Sequence, residues 1–197
     1  METLTISVPP AVKFADEQFF QLCIANEEWQ FEMSAEGELI IMPPNGGESG
    51  IINSDLNFQV SLWNRHAQLG KVFDSSTIFQ LANGAKRSPD VSWVTRERWE
   101  ALTTEQKKQF PPLCPDFIIE LLSETDSLEK LRVKMKQYLA NGMRLGSLIH
   151  TEKPLIEIYR PQQNVEIINL SFNKLPTLSG EQVLPGLIID LTKIWQP

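Results

Sequence analysis

Cysteine and histidine are scarce in this chain of 197 residues, with two of each. Cys23 and Cys114 lie far apart and lack metal-type spacing, so they fit free thiols in a reducing environment. With His66 and His150 as the only histidines, a His-rich zinc site or a histidine-based triad has little to build on. No apolar run approaches the roughly 20 residues that span a membrane. The opening METLTISVPP lacks the basic start and apolar stretch of a secretory signal, which makes the cytoplasm the expected compartment. G-x-x-x-x-G-K-[ST], G-x-G-x-x-G after a strand and G-x-S-x-G are all missing, which argues against nucleotide kinases, Rossmann dehydrogenases and ordinary α/β-hydrolases. There is no low-complexity segment and no internal repeat.

Hydrophobic residues at 42% and charged residues at 22% are ordinary globular values, and residues 1–197 suit one domain. The net charge of −7 argues against bulk electrostatic coating of nucleic acid. The charge is unevenly spread, however. Residues 1–60 hold ten acids against Lys13 alone, whereas residues 61–150 carry a net +3. If any part meets an anionic partner, it is the middle.

Hydrophobic patterning predicts an N-terminal hairpin, about Trp29 to Met33 and Leu39 to Met42, turning around Gly37. After the glycine-rich NGGESG loop, a first long helix runs from Ser49, with Gly70 as its C-cap. KVFDSSTIFQL reads as a strand pair or one bent strand, DVSWV as a short strand, and residues 95–110 as helical. FIIELL is apolar on both faces, as a central strand should be. The clearest helix follows. Asp126 or Ser127 caps it, Leu128, Leu131, Met135 and Tyr138 form its stripe, and Gly142 stands past its end. LGSLIH is the next strand, LIEIYR and VEIINL make a C-terminal hairpin, and PGLIIDLTKIW closes the chain as a short helix. The fold class is α/β, with a central mixed sheet flanked by helices and a hairpin at either end.

Two acids stand out by position. Asp90 opens a strand right after Pro89, and Glu120 sits inside FIIELL. A carboxylate in apolar surroundings must be neutralised, paired or used. Two close together suit Mg²⁺ (or Mn²⁺), which takes one or two protein carboxylates and leaves its other positions to water and phosphate. That points to phosphodiester chemistry. Lys134, at the edge of the apolar stripe, is the helix lysine placed to reach such a site and offset phosphate charge. Bland readings stand beside this one: Asp90 as a turn or cap residue, Glu120 as a buried ion-pair partner of Lys134, and Lys134 as a helix-edge lysine reaching for water.

Taken together, SPDVSWV, PDFIIELLS, KMKQYLANGMRLGSLI and PGLIIDLTKIW resemble the bacterial Uma-two family of restriction-endonuclease-like proteins, within the PD-(D/E)XK nuclease superfamily. The resemblance implies a restriction-endonuclease-like core and a metal-dependent nuclease, acting on DNA more than RNA, with a symmetric homodimer favoured for double-strand cutting. Asp90 takes the place of the motif's first Asp and Glu120 that of its (D/E). The Leu121 backbone carbonyl would be a further metal ligand, and Glu48 matches a position where an additional acid often stands. At the motif's Lys position this chain has Leu122. Family members carry a lysine on the following helix instead, in a K-x-x-x-Y pattern that Lys134 and Tyr138 reproduce. RLGSLIH departs from the family, which has an aromatic near Ser147 and an acid near His150. The alternative is a non-catalytic nucleic-acid-binding or regulatory module on the same fold.

Overall fold

The computed structural model describes residues 3–44, 46–124, 126–170 and 176–195. Asn45 of the glycine-rich loop and Thr125 before the long helix lie outside the described residues. The chain begins with β1 (Leu4–Ile6), α1 (Asp16–Ala25), β2 (Gln30–Met33), β3 (Leu39–Met42) and the long α2 (Gly47–Ala67). Then come β4 (Gly70–Asp74), β5 (Phe79–Gln80), β6 (Lys86–Arg87), β7 (Val91–Thr95), α3 (Arg96–Glu100), α4 (Thr104–Lys108) and β8 (Phe117–Leu122). It ends with α5 (Leu128–Ala140), β9 (Leu145–His150), β10 (Leu155–Tyr159), β11 (Glu166–Asn169), β12 (Thr177–Ser179), β13 (Ile188–Asp190) and α6 (Thr192–Trp195).

The main sheet has six strands in the order β11-β10-β9-β8-β7-β4. It is mixed: β8 and β9 run parallel across the α5 crossover, and the other neighbours are antiparallel. β8 therefore lies inside the sheet, which is why FIIELL is apolar on both faces. Its odd residues, Phe117, Ile119 and Leu121, pack with Ile52, Leu56 and Val60 of α2. Its even residues face α5, where Ile118 packs with Met135 and Tyr138. Glu120 belongs to that even set by strand alternation.

α5 starts at Ser127, whose Oγ accepts the Lys130 N–H at 3.4 Å, and carries Glu129 in its first turn. Its stripe seats against β9 at Gly146, where a Cβ would come within 2.5 Å of Met143 and 2.6 Å of Met135. Met135 is fully buried, so its truncation to Ala would cost about 2–5 kcal/mol.

The hairpin β2–β3 pairs as expected, with Gln30 opposite Met42 and Met33 opposite Leu39. It belongs to a second sheet in the order β1-β3-β2-β6-β5. Phe31 and Met33 of β2 pack with Phe19 of α1. Alternation turns the intervening Glu32 to the opposite face, toward α5.

Several expected boundaries move. α2 begins at Gly47, so Glu48 is in its first turn and not in a loop, and Gln68 in the left-handed conformation (φ 55°) caps it in place of Gly70. Gly70 is instead a strand residue, where a Cβ would lie 2.1 Å from the Val94 carbonyl oxygen. KVFDSSTIFQL splits between the two sheets as β4 and β5. Residues 95–110 form two short helices because Thr103 opens a new capping box with Gln106. The closing segment is a strand, β13, before the one-turn α6; β13 pairs with β12. β1 and α1 fall in a stretch for which the sequence pattern predicts no element.

Candidate active site

The register of β7 and β8 pairs Val91 with Ile119 and Ser92 with Ile118, and one further step brings Asp90 opposite Glu120. At that step β7 gives way to its leading residue. Asp90 Oδ2 accepts the Leu121 N–H at 2.8 Å, and Asp90 Oδ1 accepts Asn53 Nδ2 of α2 at 2.9 Å. The N–H and C=O of a strand residue point to the same edge, so the Leu121 carbonyl is turned to the side that holds Asp90. Asp90 is partly buried and lines an open cleft of about 400 Å³ with Gly50, Asn53, Asn57, Asp74 and Ser76.

Glu120 is 3% exposed. Its Oε1 lies 2.9 Å from Lys134 Nζ and accepts the Tyr138 hydroxyl at 2.9 Å. Lys134 and Tyr138 stand one helical turn apart on α5, so both reach the same strand residue. The structure thus brings Asp90, Glu120, Leu121 and Lys134 to one end of the β7–β8 pair. Glu48 stands apart: it is exposed and, among the described residues, its side chain makes no hydrogen bond or ion pair.

Two members escaped the sequence reading. Glu32 of β2 is 2% exposed and binds Lys134 Nζ at 2.9 Å, Arg87 Nη1 at 2.9 Å and the Ser88 N–H at 2.8 Å. Arg87 also donates from Nε to Gln137 of α5 at 2.7 Å. The available signal for Glu32 was an acid between Phe31 and Met33 in a predicted strand, the same anomaly as Glu120 in miniature. Arg87 stands three residues before Asp90 in KRSPD, within a stretch that looks like a turn.

The cluster counts three carboxylates, Glu32, Asp90 and Glu120, against two cations, Lys134 and Arg87. Burial leads the pKa shifts of the two site acids, and at Glu120 the neighbouring acids add to it. Burial, helped by the charges of Asp90 and Glu32 and opposed by Lys134, pushes Glu120 from an ordinary 4.5 up to about 7. Burial also raises Asp90, although the Leu121 N–H and Lys134 partly offset it. Burial disfavours the Lys134 ammonium, but Glu120 and Glu32 outweigh it and hold its pKa above the ordinary lysine range. Glu32 goes the other way from Glu120: against burial, Lys134 and Arg87 keep it ionised.

These donors fit a hard divalent cation. Two carboxylates and a backbone carbonyl stand at neighbouring positions of β7's leading edge and β8, and Asn53 Oδ1 beside Asp90 is buried without a hydrogen-bond partner among the described residues. Among the described residues no three His, Cys, Asp or Glu side chains group as a ready-made cage.

A family model described as "Uma2: Putative restriction endonuclease" matches residues 16–192. This chain belongs to the Uma2 family. Its fold is also that of a solved structure described as a putative nuclease belonging to DUF820, from Anabaena variabilis. That match has a TM-score of 0.74 at 20% identity and covers 92% of this chain and 97% of the other. The α/β architecture expected from the Uma2 resemblance therefore stands. A comparison with curated proteins returns no match. Among the described residues no helix is long and apolar enough to cross a membrane.

Proposed function

We propose that this Uma2 protein is a metal-dependent nuclease that hydrolyses phosphodiester bonds, with DNA as substrate. The observation that carries the reading is the meeting of Asp90, Glu120 and Lys134, from β7's leading edge, β8 and α5. Asp90, Glu120 and the Leu121 carbonyl would hold Mg²⁺ or Mn²⁺, which when bound supplies a Lewis acid for the phosphoryl oxygen and makes water a better nucleophile.

The chain's own residues do the rest. Asn53 and the Leu121 N–H fix the Asp90 carboxylate by one bond to each oxygen, which orients it with little freedom. Tyr138 and Lys134 fix Glu120 through Oε1. The Lys134 ammonium remains charged at all physiological pH and offsets the negative charge that grows on the phosphate oxygens. It fills the role of the motif lysine that Leu122 lacks, reaching the site from the helix side. Glu32 and Arg87 hold Lys134 in place from behind, as positioning residues.

A second reading has one observation in its favour: Lys134 and Tyr138 already satisfy Glu120 Oε1, as they would in a purely structural ion pair. Plasmid nicking separates the two. Purified protein with Mg²⁺ or Mn²⁺ is expected to nick supercoiled DNA, and Asp90→Ala or Glu120→Gln to abolish it. Nicking that survives both substitutions, or no nicking by the wild type with either metal, rules out the nuclease reading.

A further inference from the structure

The first turn of α2 is bare. Gly47 opens it, Gly50 ends it, and no side chain caps it. Neither glycine is required by the protein's own packing: neither has a positive φ, and a Cβ built on either meets nothing within 4 Å. Glycine weakens a helix relative to alanine, and what it gives in return is room for something outside the chain to come close. The amide N–H groups of Gly47, Glu48 and Ser49 have no acceptor among the described residues, and Gly50 N–H is the first to bond, to the Gly46 carbonyl at 2.9 Å. On a 21-residue helix these three donors form the positive end of the dipole.

The bare turn leads into the Asp90 cleft. At about 100° per residue Gly50, Asn53 and Asn57 fall within about 60° of one another, and all three line that cleft. Glu48 falls on the far side of the helix, so its carboxylate is turned away from this face. The charged residues lining the cleft are Asp74 and Asp90, with no lysine or arginine among them. Asn53 supplies a second, independent sign of an occupant. It is 9% exposed, and its Nδ2 donates to Asp90 Oδ1 at 2.9 Å. Turning the amide over would set oxygen against oxygen, so Oδ1 is fixed as a buried acceptor, and it has no donor among the described residues. On a side chain that lines the cleft, that donor has to come from what the cleft holds.

We propose that the first turn of α2 seats a phosphate of the substrate's own backbone, the one next along the strand to the phosphate that is cut at Asp90. The Gly47, Glu48 and Ser49 amides donate to its oxygens, and Gly47 and Gly50 leave the strand room to approach. Asn53 Oδ1 accepts a hydrogen bond from the water that hydrolysis brings into the cleft. This deepens the nuclease reading and rests on it. The Glu48 amide lies about 7–8 Å along the helix axis from Asn53, so one phosphate cannot serve both places. The substrate is therefore a polynucleotide with phosphates on both sides of a nucleoside, and not a mononucleotide. The seat is occupied alike before and during cleavage, so its contribution falls on KM and not on kcat.

Gly50→Ala tests the seat, because folding and substrate binding should respond with opposite sign. Alanine favours the helix and its Cβ meets nothing in the protein, so the melting temperature should rise by about 1–3 °C. The same Cβ crowds the strand. Affinity for a labelled duplex oligonucleotide, read by fluorescence anisotropy in Ca²⁺ buffer, should fall by about fivefold or more. Gly50→Glu adds charge repulsion and should weaken binding further. In plasmid nicking with Mg²⁺ both variants should raise KM and leave kcat within about threefold of wild type. If wild type nicks and binds DNA while Gly50→Ala matches it in affinity and KM, the phosphate seat is overturned and the nuclease reading stands. A lower melting temperature for Gly50→Ala also overturns the seat, since the position then packs within the protein. A wild type that neither nicks nor binds DNA overturns both.

Discussion

α5 makes two buried ion-pair systems with the same face of the same sheet, and they behave in opposite ways. The pairing register runs Glu120 to Leu148 to Glu157, so the two acids occupy one row with a leucine between them. On one side Lys134 meets Glu120; on the other Arg132 grips Glu157 with Nε at 3.1 Å and Nη2 at 2.7 Å. Glu157 has further partners in the Tyr159 hydroxyl at 2.8 Å and His150 Nε2 at 3.4 Å, and it shares Arg132 with the exposed Glu129. Burial penalises it, but Arg132 and Tyr159 outweigh the penalty and hold its pKa below the ordinary range. Glu120 has Asp90 and Glu32 as neighbours and is pushed up to about 7. Burial alone therefore does not mark a functional acid. The buried charges beside each acid set the direction of its shift: Asp90 and Glu32 add to burial at Glu120, whereas Arg132 and Tyr159 outweigh it at Glu157.

The largest contrast should appear in cleavage. Lys134→Met is expected to remove nicking activity by a factor of at least about 10², whereas Arg132→Met should leave the rate within a few-fold. The stability of the same pair sharpens the point. Lys134→Met strands Glu120 and Glu32 in the interior and should cost about 3 kcal/mol. Arg132 is one-third exposed and leaves Glu157 with Tyr159 and His150, so its loss should cost about 1–2 kcal/mol. Urea melts of the three proteins measure both.

The pH dependence differs in sign. Folded Glu120 binds its proton more tightly than the unfolded residue at 4.5, so its contribution to stability is present in acid and is lost as pH rises from about 4.5 through about 7. Glu157 is depressed, so its contribution is present above the ordinary glutamate range and is lost as pH falls. Melting curves in metal-free buffer from about pH 2 to about pH 8, which spans depressed, ordinary and raised carboxylate values, should lose the first slope in Glu120→Gln and the second in Glu157→Gln. The smallest effect is the most diagnostic: at the alkaline end, Glu120→Gln should raise the melting temperature by a few degrees and Glu157→Gln should lower it.

Legibility in the sequence followed the range of the physics. FIIELL and the 128–140 helix declared themselves because periodicity and capping are local, and with them came Glu120, Lys134 and the mixed sheet. Asp90 was legible from its step after Pro89. Glu32 and Arg87 were not, because their importance comes from the docking of the second sheet against α5, a contact between residues 32 and 134 that no local pattern encodes. α1 was missed for a related reason: it packs through Phe19 onto the small sheet and holds the fully buried Lys86 through Asp16 at 2.7 Å, which is tertiary support for a weakly patterned segment. Gly70 looked like a helix cap because glycine serves both as cap and as close-approach residue, and the Val94 carbonyl that makes it the latter is distant in sequence.

The measurement that bears most directly on the cation-site account is a Mn²⁺ titration by calorimetry at neutral pH, on wild type, Glu120→Gln and Glu157→Gln. Wild type and Glu157→Gln should bind one or two ions with release of protons, since Glu120 is part-protonated near its pKa of about 7. Glu120→Gln should bind far more weakly and release none. Equal binding by Glu120→Gln and wild type, or no binding by any of the three, would contradict the assignment of Asp90 and Glu120 as the cation's ligands.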